Sequence, residues 1–173
     1  MSYRDTLVAL SGATGDAVAA LWARLEAGEI TPAAFVELTA VKVSVANRSA
    51  VALADLGLAA TLTAQLRRPV PVLGLETVDA LERLRLAAGT VVDAGTVGRA
   101  VRLGRCEPLD SAARAYSEGI RRSPHVNAWR RQTSGTACPL CTEWAAAGVL
   151  PDTVQMATHK GCSCVPVPIT RGG

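Results

Sequence analysis

Four of the five cysteines in this 173-residue chain fall between positions 138 and 164, with one of its two histidines among them. The pattern is Cys138-x2-Cys141, then 17 residues, then His159-x2-Cys162-x-Cys164. Two residues between cysteines let one tight turn aim both thiolates at a single ion, and His159-x2-Cys162 offers a second pair at the same spacing. Zinc takes four tetrahedral nitrogen and sulfur ligands, and two pairs separated by a longer loop are its usual layout. Gly135 and Gly161 supply the backbone freedom that such turns use. Cys138 and Cys141 form the first pair; His159, Cys162 and Cys164 compete for the two remaining places. With His159 and Cys162 as the second pair, Cys164 is spare. In a strand, residues two apart share a face, so Cys164 can equally replace Cys162 or displace His159.

Other chemistries for the same residues fit less well. Unligated cysteines serve as small buried residues, and Cys106, standing alone, is read as one of these or as a surface residue. A thioredoxin-like redox pair needs a βαβ context, which the flanking sequence does not provide. A catalytic zinc keeps an open position for water, whereas thiolates alone could saturate this ion. A zinc deaminase places His-x-Glu before Pro-Cys-x-x-Cys; the chain has no His-x-Glu, and position 137 is alanine. His125 has no evident nucleophile or carboxylate partner. A structural zinc in a protein that is not an enzyme is therefore expected.

Composition bounds the rest. Hydrophobic residues make up 49% and charged residues 19%, so a packed core is expected, while 3% aromatics make that core aliphatic and suited to close-packed helices. The net charge of +3 is too mild to imply nucleic-acid binding. Arg121, Arg122, Arg130 and Arg131 form a basic neighbourhood, read either as a solvated face or as a weak contact with nucleic-acid phosphates or an acidic surface. The start lacks a secretory signal. No stretch is expected to cross a bilayer, residues 51–66 being interrupted by Asp55, Gly57 and Gln65. A soluble protein made in a reducing cytoplasm follows, with cysteines that are not a disulfide framework.

The elements that must position the cysteines divide at about residue 123. Residues 1–123 are expected to form a helical body, and residues 124–173 a small zinc-stabilised α+β module, so the fold class is mainly α. Val18, Leu21, Trp22 and Leu25 line one face of a helix over 15–27, with Gly28 as its C-cap. Thr31 and Pro32 start a long helix through Phe35, Leu38, Val41 and Val45 toward Leu66; a strand at 41–45 is the weaker alternative. Residues 67–71 break it as an extended linker. Thr77 starts a helix to Gly89, with Asp79 and Glu82 near its N-terminal end. Residues 90–105 are ambiguous, and Pro108 opens a further helix to Arg122. Beyond Pro124, residues 125–131 suit a strand, 139–147 a short helix stopped by Gly148, and 162–169 an edge strand or tail because of Pro166 and Pro168. Trp129 and Trp144 are expected to pack against the metal module, which is too small to hold a core alone.

The segment 125–141, His-Val-Asn-Ala-Trp-Arg-Arg-Gln-Thr-Ser-Gly-Thr-Ala-Cys-Pro-Leu-Cys, together with His-Lys-Gly-Cys-Ser-Cys at 159–164, resembles the C-terminal part of MuF-like minor head proteins of tailed phages, the head-morphogenesis proteins of the actinobacteriophage type. That family's pattern runs from an arginine-bearing strand through Cys-x-x-Cys to a His-x-x-Cys-x-Cys ending. The resemblance covers roughly the last fifty residues; before that only a helix-rich preamble is shared. It implies a virion component located at the head or portal region, made in the host cytoplasm. It implies binding to the portal or the major capsid protein, with self-association as a further expectation, and no defined catalytic residue. Thin basic and aromatic content departs from what DNA contact would need. A small zinc-finger nucleic-acid-binding regulator is the alternative, and residues 139–147 lack the basic side chains of a recognition helix.

Overall fold

In the structure, a computed structural model, residues 2–77, 80–133, 135 and 137–171 are described. Four helices build the body: α1 Tyr3–Glu26, α2 Pro32–Leu66, α3 Leu81–Ala94 and α4 Val97–Arg122. After them come β1 Val126–Gln132, α5 Pro139–Ala146, β2 Val149–Pro151 and β3 Val165–Thr170. The strands form an antiparallel sheet in the order β2-β1-β3. The fold is thus mainly α with a small α+β part near the C-terminus that carries the Cys/His cluster.

Local chemistry sets the helix ends. Ser2 and Asp5 close a capping box that starts α1 well before the expected residue 15. The helix stops in a Schellman turn: Gly28, at φ 70°, donates to Leu25 O and Glu29 donates to Arg24 O. Thr31 caps α2 as expected, its hydroxyl accepting from Ala34 N at 3.1 Å, with Pro32 in the first turn. α2 then runs unbroken for 35 residues, and the strand alternative at 41–45 does not occur. Val43 there is buried against the neighbouring helices, and packing outweighs the modest helix penalty of β-branching.

Three further boundaries differ from the sequence expectation. α3 begins at Leu81 rather than Thr77; Glu82 does lie in its first turn, while Asp79 lies outside the described residues. Gly89 does not end it; Gly95, at φ 65°, does. Pro108 does not open a helix but sits buried inside α4. A proline there removes the bond to Gly104 O. The cost is accepted because this turn is wedged against α1. A Cβ on Gly104 would lie 2.9 Å from Gly15 Cα, and Ser11 Oγ donates to the neighbouring Arg105 O at 2.8 Å.

One core joins α1, α2, α4 and β1 through Leu7, Leu58, Leu62, Tyr116, Ile120, Val126 and Trp129. A second joins α1, α2, α3 and α4 through Val18, Trp22, Phe35, Leu84 and Ala100. The extended segment 67–77 is strapped onto α2 by Asp55, a buried carboxylate that accepts from Leu73 N at 2.8 Å and Leu75 N at 3.0 Å. Contrary to the expectation that no stretch could do so, α1 and α2 are each long and apolar enough to cross a membrane by length and composition. Here they pack as core helices, and their faces bury Ser11, Thr14, Asn47 and Asp55 among the alanines.

Proline placement fits β3 at its edge. Pro166 and Pro168 alternate with Val165, Val167 and Ile169 along β3, so the missing N–H groups fall on the side away from β1. On that outer side Gln65 Nε2 donates to Pro168 O at 2.9 Å, tying β3 to the end of α2.

Candidate metal centre

Two short segments bring the donors together. Cys138 is the N-cap of α5, its Sγ accepting from Cys141 N at 3.4 Å, and Pro139 opens the first turn. One turn of helix therefore sets Cys138 and Cys141 side by side, with Cys141 fully inside. On the opposite wall Cys162 N donates to His159 O at 2.9 Å, closing a tight turn that requires Gly161 at φ 80°. The chain then extends through Cys164 into β3.

The donor atoms converge. His159 Nε2 lies 3.1 Å from Cys138 Sγ and 3.1 Å from Cys141 Sγ, and Cys141 Sγ lies 3.5 Å from Cys162 Sγ. Cys138, Cys141 and His159 form one triad of atoms within 4.8 Å; Cys141, Cys162 and Cys164 form another, so Cys141 is shared. The five side chains are close enough to hold a metal ion. The His159 Nδ1 contact with Lys160 O at 3.2 Å suits the tautomer in which Nδ1–H donates to the carbonyl and the Nε2 lone pair faces the sulfurs. Burial, followed by the neighbouring Cys164, Cys162 and Cys138, pushes the Cys141 thiol far above its ordinary range. Packed sulfurs resist ionising together; a divalent cation is what would turn them into thiolates.

Around this cluster the structure corrects one expectation and refines another. Arg131 does not belong to a surface basic face. It is 8% exposed, its guanidinium lies 5.1 Å from the centre of the Trp144 ring, and it bonds to Ala157 O and to Cys162 Sγ. Of its former companions, Arg121 pairs with Glu118, Arg122 donates to Leu73 O, and Arg130 is exposed. Trp129 lies away from the cysteines: it joins the bundle core and meets the rest of the 124–173 module through Met156 and through Val154 O, to which its indole donates at 2.7 Å. Trp144 does lie against the site, 6.2 Å from the His159 ring. The sequence did carry a signal for Arg131: Trp129 and Arg131 are two apart in a strand, so a buried Trp129 places Arg131 inward too. Cys106, buried in α4, faces Gly161, and Lys160 bonds to Asp110 at 3.2 Å, so the metal loop docks on α4.

No protein-family model, no curated protein and no solved structure matches the chain.

Proposed function

We propose that these side chains hold one structural zinc ion, and that the chain is a MuF-like minor head protein, a phage head-morphogenesis component that works by binding near the portal rather than by catalysis. One observation carries the proposal. The residues of the resemblance, 125–141 and 159–164, are those that form β1, the first turn of α5 and the metal loop, and their sulfur and imidazole atoms converge. Thiolates with an imidazole suit zinc among the common divalent ions. Five protein donors for four places leave no open position for water, which supports a structural rather than a catalytic ion.

Partner binding falls to the helical body. Leu38, Val41 and Val45 are exposed at a spacing that aligns them along α2, and Leu56 is exposed further on. Val18 and Trp22, by contrast, are used up in the core. The α2 stripe suits portal or major capsid protein, or a second copy of the chain. Arg121, Arg122 and Arg130 add a weak, salt-sensitive contact to nucleic acid or an acidic surface.

Two measurements test this. Elemental analysis of the purified chain should find about one zinc per molecule, as a single four-ligand site requires. Fractionation of infected cells should find the chain with portal or capsid protein and in the virion head. A chain absent from heads and assembly intermediates, yet bound to one DNA sequence at physiological salt, would transfer the assignment to a zinc-finger regulator.

A further inference from the structure

The zinc site leaves open which four of its five donors bind, and a guanidinium is buried beside them. We propose that Arg131 is the counter-ion of an anionic metal–thiolate centre, and that its bond to Cys162 marks Cys162, not Cys164, as the ligand that joins Cys138, Cys141 and His159. This assignment rests on the metal site proposed above.

A guanidinium is always charged in proteins, and burying it is costly unless an anion and hydrogen bonds compensate. Arg131 is 8% exposed, and among the described residues no carboxylate lies within ion-pair distance of it. Its contacts are the Ala157 carbonyl, the Trp144 ring and Cys162 Sγ, the last at 3.9 Å from Nη1. A carbonyl and a ring face orient a cation without neutralising it. The charge must come from sulfur, and neutral thiols do not supply it.

Charge counting then sets the number of thiolates, and the contact with Arg131 picks the third. A divalent ion with three thiolates and a neutral imidazole carries one net negative charge, which the single guanidinium cancels. Four thiolates would leave the buried unit negative. A three-thiolate set that keeps His159, whose Nε2 faces both Cys138 and Cys141, has room for one more sulfur. An N–H···S bond favours the thiolate form, and the guanidinium is aimed at Cys162. Trp144 lies against both the guanidinium and the His159 ring, so the same indole helps position a ligand and the counter-ion.

The test uses the full chain with zinc, and with Co²⁺ as a coloured stand-in, in the wild type and in Arg131→Met, Arg131→Lys, Cys162→Ser and Cys164→Ser. Arg131→Met keeps bulk on Trp144 and removes the charge. It should weaken zinc binding by about ten- to a hundredfold against a competing chelator, the usual cost of losing an outer-shell partner. It should also move the thiolate-to-cobalt charge-transfer band to longer wavelength, because a sulfur that loses its N–H donor gives up electron density more easily. A purely structural role would not shift that band. Arg131→Lys should recover part of the affinity. Cys162→Ser should remove about a third of the charge-transfer intensity, one thiolate of three, while Cys164→Ser leaves it unchanged. Arg131→Met with wild-type affinity and band position, or loss of intensity in Cys164→Ser and not in Cys162→Ser, overturns the proposal with the metal site intact. A wild type that takes up neither zinc nor cobalt overturns the metal site itself. Should Arg131→Met fail to fold, the lysine and cysteine variants still decide.

Discussion

The helical body and the C-terminal segment reach order by opposite routes. In the body, Ala40, Ala50, Ala54, Ala100 and Ala112 are almost wholly buried, and Gly15 meets Gly104, so helices approach closely and aliphatic contact accumulates along their length. In the segment beyond β1, α5 buries Cys141 alone, and Cys162, Cys164 and Met156 are among the few buried side chains before β3. A region with so little apolar surface to bury needs a cross-link, and the converging sulfurs and imidazole are placed to provide one. On the zinc reading proposed above, the contrast explains why a chain rich in alanine and leucine concentrates four cysteines in 27 residues: metal–ligand bonds would replace area where area runs out.

The largest effect that can break the comparison is removal of the metal. Zinc binding supplies on the order of 10 kcal/mol to small metal-organised modules, so a chelator, or Cys141→Ser, should release the segment 137–164 while far-UV circular dichroism retains most of its helix signal. Trp144 should respond most, because it lies on the site, and Trp129 less, because it keeps its place in the bundle core and loses only its contacts with Val154 and Met156. Fluorescence of a Trp144→Phe variant separates the two. Collapse of the helix signal on chelation would mean that the body depends on the metal as well.

Next is a change confined to the body. Asp55→Ala leaves the Leu73 and Leu75 amides without their carboxylate partner, and two orphaned donors should cost about 2–4 kcal/mol. Denaturant melts should show that loss with zinc content unchanged. Gly104→Val follows. Its added atoms meet Gly15 Cα and Thr14 O at 2.9 Å, which are backbone and cannot rotate aside, so overpacking should cost about 1–3 kcal/mol. If either variant also lost zinc, the two regions would be coupled more tightly than their separate cores suggest.

Much of this division was written in local sequence. Gly28, Thr31 with Pro32, and Gly148 act through their own backbone geometry, so the ends they mark are legible. Cys138-x2-Cys141 and His159-x2-Cys162 announced the donors for the same reason: a turn of fixed size sets their spacing. What escaped depends on partners far along the chain. Pro108 looks like a helix start until α1 is known to press on Gly104. Strand β2 is three residues long, and only its pairing with Ala128, Trp129 and Arg130 makes it a strand. Arg131 turned inward with Trp129 because alternation fixes which residues share a face but not which side of the sheet meets the bundle. That side is set by β1 packing on α4 and α2, which no short-range pattern encodes.

The smallest effect concerns the seam between the regions. Lys160, inside the metal loop, reaches Asp110 on α4 at 3.2 Å, with side-chain exposures of 67% and 21%. An ion pair that open to water contributes about 0.2–1 kcal/mol at most. Gly161 on Cys106 and the Met156 amide on Ser117 Oγ make the buried part of the same seam. Lys160→Ala should therefore change zinc affinity by less than about fivefold, the equivalent of that energy. The difference should shrink as salt is raised, since screening already removes most of an exposed attraction. Ser117→Val, which strands the Met156 amide in a buried place, should do more damage than Lys160→Ala at every salt concentration. If the order were reversed, the seam would be held by charge at the surface rather than by packing beneath it, and the metal loop would dock on the helices only in dilute buffer.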